Sequence, residues 1–440
     1  MKKKDTIFAL ASGSGKAAIS IIRISGPESI KTINSLSLKK IKKPREARLT
    51  KLFSSSGELI DQTITTIFKK PQSYTGEDMV EISAHGGNAV LKKLFEELRT
   101  KPMLRLARPG EFTKRAFENN KLELTQVEAI ADIVNSETEM QRKQAISHLS
   151  GFFFIKSKKI FNSLKKTLAN IEAVIDFADD ELPKNLYKKI KEQIENNIKE
   201  TNSLISTANI GKSIRGGFLV VILGKPNTGK SSFINYISGK DISIVTNIPG
   251  TTRDLLESFL DINGLPIRFV DTAGIRSNDK KLSKLNKVEK IGIELAVKAA
   301  DEADLNLVFI EKKSDIRLFK NFKNTVFIKS KQDLKKSKFI GDNFYNISSK
   351  TGFGIDGLLK IINKKIAPKT MKEEGYISRE RHLKCIEKVN VQLKKAKNDK
   401  NIDLIAEDIR ISIKELGNLF GNVDIEDILD IIFSDFCIGK

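Results

Sequence analysis

The spacing of apolar positions changes along this chain, and the changes divide it. Up to about residue 119 the pattern is mixed: short apolar runs at 18–24 and 64–68 predict strands, and 88–98 carries apolar residues at helical spacing. From 122 to about 208 apolar residues recur three and four apart with no strand punctuation, which predicts a succession of helices. Gly211, Gly216 and Gly217 then mark a break. Beyond them, runs at 218–223, 267–270, 325–329 and 344–347 predict strands, and 232–238 predicts a helix. Asn263-Gly264, between the apolar stretches 255–262 and 265–270, predicts a two-residue hairpin turn. After Pro368 and Gly375 the helical spacing resumes at Arg379 and runs to the end. The expected division is an α+β domain over 1–119, a helical part over 120–211, an α/β domain over 212–371, and a second helical part over 372–440. An α/β domain inserted between two halves of a helical domain suggests a switch that moves helices.

The chemistry is densest in the inserted domain. Gly224-Lys225-Pro226-Asn227-Thr228-Gly229-Lys230-Ser231 follows one predicted strand and precedes a helix, the setting of a phosphate-binding loop. Its glycines let backbone N–H groups curl round a polyphosphate; Lys230 reaches the β- and γ-phosphates and the Ser231 hydroxyl takes Mg²⁺. Asp271-Thr272-Ala273-Gly274 closes another strand, where the carboxylate is suited to hold Mg²⁺ through water. Ser330-Lys331-Gln332-Asp333 and Ser348-Ser349-Lys350 close two more. A carboxylate at such a strand end accepts the two N–H donors that guanine presents and adenine lacks. The four elements in this order predict GTP rather than ATP; taken singly, each reads as an ordinary strand-end turn. Gly13-Ser14-Gly15-Lys16 mimics a second phosphate loop, but Leu10 and Ala17 stand where the pattern needs Gly and Ser or Thr, so a turn before a strand is expected.

Composition changes the picture in two ways. Lys+Arg 77 against Asp+Glu 55 gives +22, a balance that suits polyanionic partners such as RNA but that an AT-rich genome would also impose through lysine. Two cysteines, Cys385 and Cys437, exclude a disulfide scaffold and suit a reducing cytoplasm. The start mimics a signal peptide with too short an apolar core, and no run is long enough to cross a membrane, so a cytoplasmic protein is expected.

Several flanking motifs point to one family. They are Arg23-Ile24-Ser25-Gly26-Pro27, Tyr74-Thr75-Gly76-Glu77-Asp78, His85-Gly86-Gly87, Arg108-Pro109-Gly110-Glu111-Phe112-Thr113, Lys121-Leu122-Glu123-Leu124-Thr125-Gln126 and the terminal Phe436-Cys437-Ile438-Gly439-Lys440. With the phosphate loop and 248–254, they resemble the MnmE (TrmE) family of tRNA-modification GTPases over the whole length. The resemblance implies an α+β folate-binding domain that dimerises, then a helical domain interrupted by a Ras-like G domain. It implies a flavin-dependent partner in a heterotetramer, tRNA as substrate, and a 5-formyl- or methylene-tetrahydrofolate supplying carbon to C5 of the wobble uridine.

The resemblance also assigns residues. Nucleotide contacts fall on Asn227, Thr228, Gly229, Lys230, Ser231 and Ser232, on Thr246, Asn247, Ile248, Pro249, Gly250, Thr251 and Thr252, and on Asp271, Thr272, Ala273 and Gly274. Ser330, Lys331, Asp333, Ser348, Ser349 and Lys350 complete them. No arginine finger is evident, and K⁺ takes its place on Asn227, Thr246, Ile248 and Thr251, with Mg²⁺ on Ser231 and Thr252. Glu289 orients the attacking water. Folate contacts fall on Arg23, Glu81, Lys121 and Lys440. Cys437 reads either as apolar packing or as a thiol acting in carbon transfer. The chain departs from the family at 12–16, where a Pro-rich stretch is usual; at Ser330, where Asn is usual; and over 271–289, which is longer. Two other functions stay open on the residues alone: an rRNA-binding assembly switch, and a folate enzyme with a regulatory G domain.

Overall fold

A computed structural model describes residues 5–13, 15–176, 185–239, 256–271, 287–334, 341, 343–367, 376–421 and 439; for 256–257 and 287–293 only the backbone is described. The chain forms two compact units, one of Met1–Ala131 with Lys414–Lys440, the other of Asp132–Ile413.

The first unit is built on β1 (Thr6–Leu10), β2 (Ile19–Ser25), α1 (Ser29–Leu36), β3 (Arg48–Phe53), β4 (Leu59–Phe68), β5 (Met79–His85), α2 (Asn88–Arg99), β6 (Leu104–Leu106) and α3 (Glu111–Glu118), followed by α4 (Leu124–Val134). Its sheet runs β3-β4-β5-β2-β1-β6. One face carries Ile22, Ile24, Val80 and Ile82, closed off with Ile33 and Leu36 of α1 and Leu94 and Leu98 of α2. The short apolar run near the start is β1, whose Ile7, Phe8 and Ala9 are fully buried. It pairs antiparallel with β2 and parallel with β6. The Gly13–Lys16 mimic lies in the β1–β2 connection and leads into an antiparallel strand, not a helix.

In the second unit come α5 (Glu139–Leu149), α6 (Phe152–Asp176), α7 (Leu186–Ile205) and α8 (Ala208–Gly216). Then follow β7 (Phe218–Gly224), α9 (Lys230–Ser238), β8 (Leu256–Ile262), β9 (Leu265–Asp271), α10 (Lys287–Glu302), β10 (Leu305–Phe309), a 3-10 helix Lys313–Phe319, β11 (Thr325–Lys329), β12 (Phe344–Asn346) and α11 (Ile355–Ile366). α12 (Glu380–Asn398) and α13 (Ile402–Phe420) resume the helical pattern. The predicted succession of helices is present, and local caps divide it; Thr138 starts α5 with a capping box to Gln141. After the sheet, α12 returns to α7: Asn390 Nδ2 donates to Thr201 Oγ1 at 2.7 Å, and Lys397 pairs with Glu195 at 2.9 Å. The α/β domain is thus inserted into the helical one, as the apolar spacing predicts.

The inserted sheet runs β12-β11-β10-β7-β9-β8, parallel except for β8 against β9. β7 sits in the middle because it is apolar throughout and buried on both faces. Its neighbours β10 and β9 leave in opposite directions, so the loop after β7 opens at the sheet's switch point. The Asn263-Gly264 hairpin is present, with φ +55° and +84° as a type I′ turn requires. Of the three break glycines, Gly211 lies inside α8, where a Cβ would stand 2.2 Å from the Ile377 carbonyl oxygen. Gly217, at φ +83°, is the residue that turns α8 into β7.

Candidate functional site

The loop after β7 is held by backbone geometry that only its own residues tolerate. Gly224 has φ +142°, and a Cβ there would lie 2.4 Å from the Phe309 carbonyl oxygen of β10. Asn227 takes φ +62° and Gly229 φ +97°, and α9 begins at Lys230, so the first-turn N–H groups of the helix face into the loop. Lys230 is 7% exposed, and its Nζ donates to the Gly224 and Lys225 carbonyls at 2.9 and 3.1 Å. The ammonium therefore lies within the curl where phosphate oxygens would be received. Burial pushes Lys230 down from the usual lysine range, opposed by Asp271. Asp271 ends β9 with burial raising its pKa, opposed by Lys230 and by the Ser231 hydroxyl at 3.4 Å. Its buried Oδ1 has no hydrogen-bond partner among the described residues. A hydroxyl, a buried carboxylate and an orphaned carboxylate oxygen at one loop mouth form a hard oxygen set that fits Mg²⁺.

The strand ends of β11 and β12 join this loop. The Ser330 hydroxyl donates to the Thr228 carbonyl, and Lys331 Nζ donates to the Asn227 carbonyl at 2.5 Å. Ser330 thus makes, with a hydroxyl, the link to the phosphate loop expected of the usual Asn. Asp333 follows one turn on, and Ser348 Oγ donates to its Oδ1 at 2.7 Å. That bond, helped by Lys350, holds Asp333 below its ordinary range against some desolvation, so the carboxylate is an ionised acceptor. The Ser349 hydroxyl is buried without a partner among the described residues. Ser232 is exposed in the first turn of α9. Residues 246–252, Thr272, Ala273, Gly274, Cys437 and Lys440 lie outside the described residues; Glu289 lies on α10, and its side chain is also outside them.

One contact had no sequence signal. Lys225 Nζ pairs with Asp315 Oδ1 at 2.9 Å, tying the phosphate loop to the 3-10 helix after β10. Asp315 belongs to no recognisable motif, and only the fold brings it there.

In the first unit, Arg23 and Glu81 are register partners on β2 and β5, and Arg23 Nε and Nη2 both donate to Glu81 Oε1, at 3.0 and 2.8 Å. The guanidinium also lies over the Tyr74 and Phe112 rings, 5.1 and 5.6 Å from their centroids. Glu81 Oε2 takes no bond among the described residues, which fits an N–H donor of an amidine-like ring. Lys121 is exposed, its stem beside Gly76. Gly439, at φ +107°, packs against Leu10 and Ala11, so the terminal segment reaches β1, the strand beside Arg23.

The quoted motifs around these residues prove largely architectural. Arg115, 5% exposed, donates to Glu77, Glu111, the Asp5 carboxylate and the Asp5 carbonyl. Arg105 donates to Glu111 at 2.8 and 2.5 Å and also pairs with Asp5. Burial would raise Glu111, but the Arg105 and Arg108 N–H donors and the Arg105 and Arg115 charges outweigh it and hold it below its ordinary range. Glu77 and Glu111 thus anchor, through Arg115, the segments that carry Tyr74 and Phe112, the two rings beside Arg23.

Known proteins are similar to this chain in sequence along its whole length. The family model described as the MnmE helical domain matches residues 124–437, and the GTP-binding protein TrmE N-terminus matches 6–121. The tRNA modification GTPase MnmE of Wolbachia sp. subsp. Brugia malayi is 38% identical over 456 aligned positions, covering all of both chains. That of Pelagibacter ubique is 40% identical over 453, covering 99% of this chain and 100% of its own. The G domain of the T. maritima FeoB iron transporter aligns at 22% identity over 34% of this chain and 98% of its own, with a TM-score of 0.28, and plays no part in the assignment. By its two matched domains and by relatives aligned end to end, the chain belongs to the MnmE (TrmE) family of tRNA-modification GTPases.

Proposed function

We propose that this tRNA-modification GTPase is K⁺-activated and, with a flavin-dependent partner in a heterotetramer, adds an aminomethyl or carboxymethylaminomethyl group to C5 of the wobble uridine. The observation that carries the GTPase half is the joining of the guanine motif to the phosphate loop through Ser330 and Lys331, with Asp333 held by Ser348. Asp333 accepts the guanine N1–H and amino group, while Lys230 neutralises the β- and γ-phosphates. Ser231, Thr252 and, through water, Asp271 would hold Mg²⁺, which supplies charge neutralisation between those phosphates. The transition state also needs positive charge at the β–γ bridge, which an arginine elsewhere raises about 10³–10⁵-fold in rate. Asn227, Thr246, Ile248 and Thr251 would hold K⁺, which supplies that charge when two G domains meet in a homodimer. Glu289 orients the attacking water.

For the carbon half, Arg23, Glu81, Lys121 and Lys440 bind a folate, which supplies the one-carbon unit. Support comes from the open Glu81 Oε2, the aromatic walls around Arg23, and Gly439 lying against β1. Because Arg23 pairs with Glu81, Lys121 and Lys440 are the cations left for the folate's anionic tail. Cys437 acts in the modification reaction, and Cys437→Ser separates that role from packing by sparing GTP turnover and removing modification. A cytoplasmic location goes with this reading; no helix among the described residues is long and apolar enough to cross a membrane. The test is GTP turnover at equal ionic strength in KCl and NaCl. Turnover many-fold faster in KCl supports the reading, and equal rates contradict it.

A further inference from the structure

The reading above leaves one strongly charged surface unused. Residues 152–171, nearly all of α6, hold five lysines and no Asp or Glu. Phe154, Lys158, Phe161 and Lys165 fall at i, i+4, i+7 and i+11, one stripe along the helix. Each lysine rests on a ring. Lys158 Nζ lies 5.1 Å from the Phe161 centroid and 5.9 Å from that of Phe154, and Lys165 Nζ lies 4.9 Å from Phe161. One turn away, Lys156 lies 4.7 Å over Phe152. The opposite side of α6 faces α7: Asn197 Nδ2 donates to Ser163 Oγ at 3.1 Å, Asn170 to Gln193 at 3.1 Å, and Lys159 pairs with Glu200 at 3.6 Å. Those contacts leave Lys158 half-buried and Lys165 exposed on the flank.

We propose that this lysine–aromatic stripe of α6 is a docking surface for the phosphate backbone of the tRNA substrate. A lysine in water loses several rotamers when it grips a phosphate; one already leaning on a ring loses fewer. The rings thus fix two ammonium groups in place, and seven residues of helix put them about 10 Å apart along the axis. Such fixed, separated charges match discrete phosphates. An anionic membrane fits less well. It would need an apolar wedge beside the charges, whereas the neighbouring exposed positions are Asn162 and Lys166, with Ile155 the one large apolar residue among them at 64% exposure. The inference rests on the chain acting on tRNA, and it assigns which surface does the gripping.

The test uses the full chain and an unmodified tRNA transcript with uridine at the wobble position. The double variant Lys158→Gln/Lys165→Gln should weaken tRNA binding about tenfold. It should also lower the slope of log affinity against log salt by about 1.4–1.8, two phosphates at 0.7–0.9 each. Lys158→Glu/Lys165→Glu should weaken it further, with GTP turnover unchanged in both. Phe154→Leu keeps the apolar contact and removes the ring, and should weaken binding by a smaller factor. Affinity and slope equal to those of the unaltered chain overturn the assignment. So does loss of binding to phosphatidylglycerol vesicles with tRNA binding intact, which would give the face to a membrane. Wobble-uridine modification, measured separately, tells failure of the stripe from failure of the functional reading: normal modification with an unchanged slope sinks only the stripe.

Discussion

Ser330 shows how one side chain can alter a site without undoing it. Its hydroxyl donates to the Thr228 carbonyl, so the guanine motif stays tied to the phosphate loop although Asn is absent. Ser330→Ala removes that bond and should weaken GTP binding about five- to tenfold, a net hydrogen bond of roughly 1 kcal/mol, in titration calorimetry. Ser330→Asn, which restores the usual residue, should tighten it. Asp333→Asn should reverse the donor–acceptor match and shift preference from GTP to xanthosine triphosphate. Glu111 belongs to a different account, that of stability. Its folded pKa lies below the unfolded one, so its pairing with Arg105 and Arg115 stabilises the fold above the ordinary glutamate range and is lost as pH falls through the folded value. Glu111→Gln should therefore lower the melting temperature at neutral pH and shrink the fall in stability on acidification. A melting profile that falls as steeply as before would remove Glu111 from the acid response.

The elements were legible where local chemistry alone decides them. The β8–β9 hairpin follows from Asn263-Gly264, and the phosphate loop from glycines at positions of positive φ. β1, β3, β5, β6 and β10 went unread; all but β5 span six residues or fewer, and their places are set by their neighbours in the sheet. The run from 122 to 208 showed helical period but not where each helix ends, because caps such as Thr138 and Gly151 are single residues. Nor did the pairs Lys225–Asp315, Arg115–Glu77 and Arg115–Asp5 leave a trace in spacing, since each joins residues far apart in sequence. Glycine at 211 gives an element-level test. Gly211→Ala puts a Cβ 2.2 Å from the Ile377 carbonyl oxygen and should cost about 1–3 kcal/mol, while Gly216→Ala, in open space on the same helix, should be neutral or slightly stabilising. Equal melting temperatures for the two variants would mean that α8 shifts freely against 376–378.

For the whole molecule, an inserted nucleotide domain shares one unit with the helices that flank it in sequence. α5 meets the sheet directly: Met140 N donates to the Gly264 carbonyl at 3.2 Å, and its side chain belongs to the same apolar cluster as Ile262 and Leu265. The β8–β9 hairpin thus bears on the helical part at its tip, a physical route from nucleotide to helices. The central claim is that GTP turnover here serves wobble-uridine modification. The direct measurement is mass spectrometry of nucleosides from tRNA of cells with the gene, without it, and with it replaced by the Lys230→Ala form. The account predicts the C5-substituted uridine in the first and plain uridine at that position in the other two; full modification in cells lacking the gene would contradict it.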